Sequence, residues 1–355
     1  MLQRILRSVP LRILVNGTRG KSTAVKIIHL ALNRSGISAV AKTTGDAPLI
    51  YQSDGRTRMV VRRAPAGIRE NIWFLFRVAQ EHPRAVILEC NALQAENQQI
   101  LARHIFRPTH ILLTGAEVDH REVMGQTRAE IAATLSRCLR LQAHIYLPET
   151  EQEVFLPHIS AETTGFRLCP TVPPAYRPVH FPGELIESQW GLLSALLGDL
   201  GVSSVETTRA FREVWEGIDR NIVRNFPDQQ FHLINLLSVN DAPTAGKLIN
   251  HLQSLLPISN EQVVLLNLRQ DRPLRSQDFI RLVQRMFPES QVWLTGSGRH
   301  LGKRLLNSFS GKVEVLNFRE TGRRLRQGFN RPTTLFALAN HRDAEHFLPG
   351  TDHTE

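Results

Sequence analysis

Near its start the chain passes from an apolar strand through a glycine loop into a helix, and that succession limits the fold more than any other feature. Ile13-Leu14-Val15-Asn16 reads as the end of a buried strand, Gly17-Thr18-Arg19-Gly20 as a tight loop, and Lys21 to Ser35 carries helical spacing. A loop of this kind cradles phosphate. Backbone N–H groups converge on an anion at a helix N-terminus, and the Lys21 ammonium adds a full positive charge. Ser22 offers the hydroxyl that reaches a phosphate-bound Mg²⁺. The expected nucleotide contacts are Asn16, Gly17, Thr18, Arg19, Gly20, Lys21, Ser22 and Thr23. The loop departs from the common Gly-x-x-x-x-Gly-Lys-Ser pattern, since residue 15 is valine and the first glycine is Gly17. A chance glycine turn before a helix is the alternative. Strand, loop, lysine, hydroxyl and helix in that order favour nucleotide binding.

Alternation of the same kind continues through the first 150 residues. Strands are expected at Arg12–Asn16, Ser38–Lys42, Ala85–Glu89, His110–Thr114 and His144–Leu147, with helices at Lys21–Ser35, Ile68–Gln80, Glu96–Ile105 and Arg128–Leu139. Apolar strands alternating with helices predict a mostly parallel α/β sheet covered on both faces. In such sheets functional groups gather beyond the carboxyl ends of the strands. A proline-rich passage, Pro170 to Pro182, excludes regular helix or central strand there. Helices follow at Leu185–Leu200 and Val205–Ile218. A second alternating series begins near Phe231, with strands Phe231–Leu237, Gln262–Leu268, Gln291–Thr295, Lys312–Phe318 and Thr333–Ala339. The expected division is therefore residues 1–225, residues 226–345 and a loose polar tail from 346 to 355, with the boundary near Arg224–Gln229.

Composition narrows the class. The 355 residues fit two or three domains, and 42% hydrophobic with 21% charged residues marks a chain able to bury a core. Cys90, Cys138 and Cys169 are odd in number and far apart, which suits a reducing compartment better than a disulfide framework or zinc cluster. No apolar run reaches the roughly 18 residues of a membrane span, so a soluble, cytoplasmic protein is expected, with peripheral association at the inner face of a membrane left open. A net charge of +10, carried by 37 arginines and six lysines, attracts anions. With 6% aromatics and no basic block interleaved with them, a nucleic-acid partner is not expected.

Several residues at predicted strand ends carry chemistry. Glu89 closes the strand Ala85–Leu88 and can hold Mg²⁺, directly or through water; a capping acid for the next helix is the alternative. Asp119-His120 follows the strand at His110–Thr114, and a neutral imidazole can bind a metal while the carboxylate orients it or receives a proton; an ordinary surface histidine, one of 14, is the alternative. Thr43-Thr44-Gly45 ends another strand and offers hydroxyls to phosphate, metal or substrate; a plain turn is the alternative. Arg62-Arg63, before Ala64-Pro65, suit recognition of a carboxylate or phosphate, or form a solvated pair. Later in the chain, Asn240-Asp241 before Ala242-Pro243 could read a nucleotide, or cap a helix whose first turn carries proline. Asn267 to Arg272 and Thr295 to Gly298 repeat that layout.

Taken in order, these segments resemble the Mur-ligase-like ATP-dependent amide ligases, and within them the ligase subunit of poly-γ-glutamate (capsule) synthases. The resemblance rests on Val15 to Ser22, Ala41 to Gly45, Arg62 to Ala66, Leu88 to Ala92, Asp119 to Gly125, Asn235 with Asn240-Asp241, and Asn267 to Arg272. It implies a central ATPase domain with a smaller Rossmann-like α/β C-terminal domain that closes over ATP. It implies an ADP-forming ligase that makes an amide through an acyl phosphate, with ATP and Mg²⁺. Lys21, Glu89 and His120 would be catalytic. Ser22, Thr44, Glu89 and His120 would serve metal ions, Asn240 and Asp241 the nucleotide, and Arg62 and Arg63 the substrate. The substrate implied is an amino acid or acidic γ-linked peptide. Small membrane-protein partners of a polymer-export complex and a homo-oligomer are compatible with the resemblance.

The chain also departs from the pattern. Thr114-Gly115 stands where the family carries threonine-asparagine, and Leu135 stands near the place of the carbamylated lysine of Mur ligases, with no lysine between Lys42 and Lys247. The residues before Arg12 leave no room for a UDP-binding domain, so a UDP-linked substrate is not expected, and they lack the membrane anchor common in poly-γ-glutamate ligases. Two other functions compete: a folylpolyglutamate-synthase-like ligase, and an ATP-binding subunit that organises membrane partners.

Overall fold

The computed structural model describes residues 2–45, 48–61, 67–163 and 165–348. They divide into two compact units, one running to residue 177 with 183–215, the other residues 178–182 with the chain from 216 on.

The first unit is built on eight strands: β1 (Leu11–Asn16), β2 (Ala39–Lys42), β3 (Leu49–Tyr51), β4 (Thr57–Met59), β5 (Ala85–Glu89), β6 (His110–Leu113), β7 (His144–Pro148) and β8 (Phe166–Cys169). They lie in the order β4-β3-β2-β5-β1-β6-β7-β8. All neighbours are parallel except the β2–β3–β4 meander at one edge. β1 sits between β5 and β6, with Val15 in register with both Glu89 and Leu112. The carboxyl ends of β2, β5, β1 and β6 therefore open on one crevice. The chain passes from one side of β1 to the other between β5 and β6, which is where an open α/β sheet binds its ligand.

Burial explains the apolar strands. Ile13, Leu14, Val15, Val86, Ile87 and Leu88 have no exposed surface, as a sheet covered on both faces requires. Each contributes about 1.5–3 kcal/mol relative to an exposed side chain. The helix Lys21–Arg34 lays Val25, Ile28 and Leu32 on the sheet. Residues 95–105 are helical as expected, but the last turn, Leu101–Ile105, opens to π-type bonding, with Phe106 N–H donating to the Leu101 carbonyl at 2.7 Å. The β3–β4 hairpin and β8 were not expected from the sequence. β4 is a three-residue edge strand exposed throughout, so no alternation marks it.

The second unit carries β9 (Val223–Phe226), β10 (Phe231–Asn235), β11 (Glu261–Asn267), β12 (Gln291–Thr295), β13 (Val313–Val315) and β14 (Thr333–Leu338). Their order is β13-β12-β11-β14-β10-β9, parallel apart from the antiparallel edge strand β9. β9 occupies the stretch expected to be a boundary. One face is filled by Phe226, Phe231, Trp293 and Phe329, with Trp293 and Phe329 stacked at 5.6 Å. Beyond His341 the chain does not leave the body at once, since Ala344, Phe347 and Leu348 are buried in that cluster. Both units are thus mixed α/β with mostly parallel sheets. Among the described residues no helix is long and apolar enough to cross a membrane.

Candidate active site

The loop after β1 is shaped by close backbone approach. Gly17 has φ +136°, and a Cβ there would lie 2.2 Å from Thr114 Oγ1, so no larger residue fits. Thr18 N–H donates to the Gly115 carbonyl at 3.0 Å, and Thr114 Oγ1 donates to the Arg19 carbonyl. The glycine at 17 therefore lets the loop lean on the chain leaving β6, and Thr114-Gly115 serves that contact. Gly20 caps the Lys21–Arg34 helix in the left-handed region at φ +70°. The first turn of the helix carries no acidic residue of its own, so its N–H groups face the loop without a carboxylate from within the turn. The Lys21 ammonium folds over the loop and donates to the Gly17 carbonyl at 2.7 Å.

Asn16 acts from beneath. Buried at the end of β1, it accepts from Gly17 N–H at 2.9 Å through Oδ1 and donates through Nδ2 to Gln98 Oε1 at 2.7 Å. Its amide thus faces the interior and braces the loop. Thr23 is half-buried on the first helical turn.

Ser22, Thr44 and Glu89 come together from three segments. Glu89, 4% exposed at the end of β5, accepts from Ser22 Oγ at 2.8 Å, from Thr44 Oγ1 at 2.8 Å and from Thr44 N–H at 3.0 Å. The carboxylate does not cap the following helix, whose first turn begins at Ala95 behind Gln94. Both hydroxyls keep lone pairs that can turn to a cation. One carboxylate with two hydroxyls is an all-oxygen donor set. It suits Mg²⁺, which is usually held by one or two carboxylates and completes its shell with phosphate oxygens and water.

Asp119 and His120 stand on the loop after β6. His120 Nε2 lies 3.8 Å from Asp119 Oδ2, both side chains mostly buried, and His120 adopts φ +50° before the short helix Arg121–Met124. Among the described residues no three His, Cys, Asp or Glu side chains form a metal-binding group. An ion held by His120 would therefore draw its other ligands from outside such a group. Arg62 and Arg63 lie outside the described residues.

Sequence reasoning missed the braces around these loops. Gln189 Nε2 donates to the Gly20 carbonyl at 3.2 Å, while its Oε1 accepts from Trp215 Nε1. Glu151, buried after β7, accepts from Ala116 N–H at 3.0 Å and from Arg128 Nη2 at 2.7 Å. Lys42 has no exposed surface and pairs with Glu70 Oε1 at 2.6 Å and Asn71 Oδ1 at 3.1 Å. A lysine ending the apolar stretch Ala39–Lys42 was the only signal of this pair, and nothing in the sequence named its partner. The cysteines take no part: all three are free and buried, and burial pushes the Cys90 thiol up to about 11.

In the second unit the residues singled out also stand at strand ends. Asp241 caps the helix Ala242–Leu255, accepting from Thr244 N–H at 2.7 Å, with Pro243 in the first turn. Asn240 Oδ1 accepts from Arg275 Nη1 at 3.1 Å. Asn267, buried at the end of β11, donates to the Asn340 and Arg342 carbonyls at 2.7 and 2.8 Å. Arg269 beside Asp271 pulls that carboxyl down to about 2.

Comparison with known proteins agrees with this architecture. Residues 222–349 match the family model of the poly-gamma-glutamate synthase CapB C-terminal domain. The PGA synthase CapB of Bacillus subtilis (strain 168) is 23% identical over 309 residues, covering 83% of this chain and 76% of that protein. The capsule biosynthesis protein CapB of Bacillus anthracis is 23% identical over 290 residues, covering 79% and 61%. Among solved structures, E. coli FolC in complex with DHPP and ADP superposes with a TM-score of 0.69 at 14% identity, over 97% of this chain and 89% of that one. The UDP-N-acetylmuramate-alanine ligase MurC of Thermotoga maritima gives a TM-score of 0.56 at 14% identity, over 97% and 76%. The fold is that of the Mur and folylpolyglutamate ligases, and the chain is similar in sequence to capsule synthases of the poly-γ-glutamate type.

Proposed function

We propose that the protein is an ATP-dependent, ADP-forming ligase that joins a glutamate-type carboxylate to an amine, extending a γ-linked acidic peptide. The observation that carries the reading is the meeting of Ser22, Thr44 and Glu89 beside the phosphate loop. It gives one crevice both an anion cradle and an oxygen donor set for a divalent cation. The sequence relatives favour a poly-γ-glutamate product over a folate.

A substrate carboxylate oxygen attacks the γ-phosphorus of ATP, the bond to the β-phosphate oxygen breaks, and ADP leaves. An amine then attacks the acyl carbon, phosphate departs with the carboxylate oxygen, and the amine loses a proton. Glu89, Ser22 and Thr44 would hold Mg²⁺, which would supply charge neutralisation for the phosphates. Lys21, released from the Gly17 carbonyl, reaches phosphate oxygens and stabilises the charge that develops on them. Asn16 and Thr114 hold the loop in the shape that aims its amides. His120, oriented by Asp119, is assigned to a second ion, and Arg62-Arg63 to the substrate carboxylate. Export of such a polymer is the reason to expect small membrane-protein partners and work at the inner face of a membrane.

Incubation with ATP, Mg²⁺ and glutamate or oligo-γ-glutamate is expected to release ADP and phosphate in equal amounts with amide product, and Lys21→Ala to abolish both. Absence of turnover with every amino acid and acidic peptide tried contradicts the proposal. Turnover that depends on folate would transfer the chain to the folylpolyglutamate reading.

A further inference from the structure

The first unit carries a second anion-attracting concavity at the opposite edge of its sheet. A cavity of about 550 Å³ opens at the amino ends of β6, β7 and β8, lined by Arg103, Arg137, Arg140, His158, Ser160 and Thr163 together with two leucines. No aspartate or glutamate lines it. Arg12, near the start of β1, stands on the same side of the sheet, whereas Gly17 stands at the other end. At about 3.3 Å per residue that strand alone separates the two ends by roughly 17 Å. This cleft is therefore not part of the phosphate site.

Its charge is uncompensated. Among the described residues none of Arg103, Arg137 and Arg140 forms an ion pair. Arg137 donates to Gln99 Oε1, and Arg140 to the Pro108 carbonyl and Gln142 Oε1, all at 3.3 Å. Partial burial, then Arg107 and Arg103, hold the Arg140 guanidinium below its ordinary value. Burial, then Arg140 and Arg107, act on Arg12 in the same direction. Crowding guanidiniums in a concavity, in a chain with 33 acidic residues to draw on, costs folding energy that a bound anion recovers. Hydroxyls and an imidazole on the wall add donors.

We propose that this cleft binds the acidic γ-linked chain itself, several carboxylates at a time, and so tethers acceptor or product away from the reacting centre. The inference rests on the proposed function. Guanidiniums pair bidentately with carboxylates, and the volume lies within the roughly 300–1,000 Å³ of ligand sites. A concave site suits a flexible chain, whereas a membrane needs a basic face it can lie against. A tether raises the local concentration of the chain end at the phosphate loop, which favours repeated addition to the same molecule.

The test is anisotropy of a fluorescein-labelled oligo-γ-glutamate titrated with the full chain, without ATP. The double variant Arg103→Glu/Arg137→Glu alters exposed side chains on the rim, so folding is expected to survive, as a wild-type melting temperature would verify. Binding should weaken by about tenfold or more in that variant, and weaken with salt, while Lys21→Ala binds as wild type does. ADP release from free glutamate should be unchanged in the double variant, with KM raised only for long acceptors. Equal affinity in wild type and double variant, or loss in Lys21→Ala instead, overturns the inference. So does cleft-dependent binding of phosphatidylglycerol vesicles or inorganic phosphate without binding of the labelled chain. Cleft-dependent binding in a wild-type protein that shows no ligase turnover supports the cleft and defeats the proposed reaction, so the two failures are distinguishable.

Discussion

Glu89 concentrates the chemistry of the first unit in one side chain. It is buried, charged and satisfied by two hydroxyls and an amide, all from segments that the phosphate loop and β2 deliver to it. Removing one hydroxyl tests whether this triad serves a cation or only ties three loops together. Ser22→Ala is expected to raise the Mg²⁺ concentration for half-maximal activity by roughly 10–100-fold. An unchanged Mg²⁺ dependence with lowered stability would mean a purely structural triad. The three residues were legible in sequence because each closes or follows an apolar strand, and strand order alone brings such ends together. Asn16 was legible as a loop residue but not as a brace, because Gln98, its partner, lies 82 positions away on a helix whose polar residues give no sign of pairing inward.

At the scale of elements, the loops are held by residues other than those that meet at Glu89. Glu151 fixes the chain leaving β6, Gln189 fixes Gly20, and the Lys42–Glu70 pair ties the end of β2 to the first turn of the helix Arg69–Val78. That pair is the sharpest case. Lys42→Met leaves the Glu70 carboxylate, 13% exposed, without the ammonium, and breaking a buried pair costs about 3 kcal/mol or more. The melting temperature should fall by roughly 6–12 °C, at about 2–4 °C per kcal/mol for a unit of this size. Lys42→Met combined with Glu70→Gln should recover most of that loss, as calorimetry of the two variants will show. A single variant as stable as wild type would mean that the pair adds no net stability. Long helices and apolar strands were readable from periodicity. The weakly buried short elements were not: β4 is exposed throughout, and β8 and β9 are mostly half-buried or exposed, without the apolar run that marks the equally short β2 and β6.

At the scale of the whole molecule, each α/β unit carries polar groups at the carboxyl ends of parallel strands, and the first unit is the one proposed to form an acyl phosphate. The loop beginning at Gly17 is part of that assignment, because Thr114 and Gly115 occupy the space a side chain at residue 17 would need. Isotope transfer tests the central claim most directly. With glutamate labelled by ¹⁸O in its carboxyl groups as the sole source of both carboxylate and amine, the phosphate released during ligation should carry one ¹⁸O atom per amide bond formed, and ADP none. Label recovered in AMP, or phosphate free of label while amide accumulates, would contradict the acyl-phosphate account.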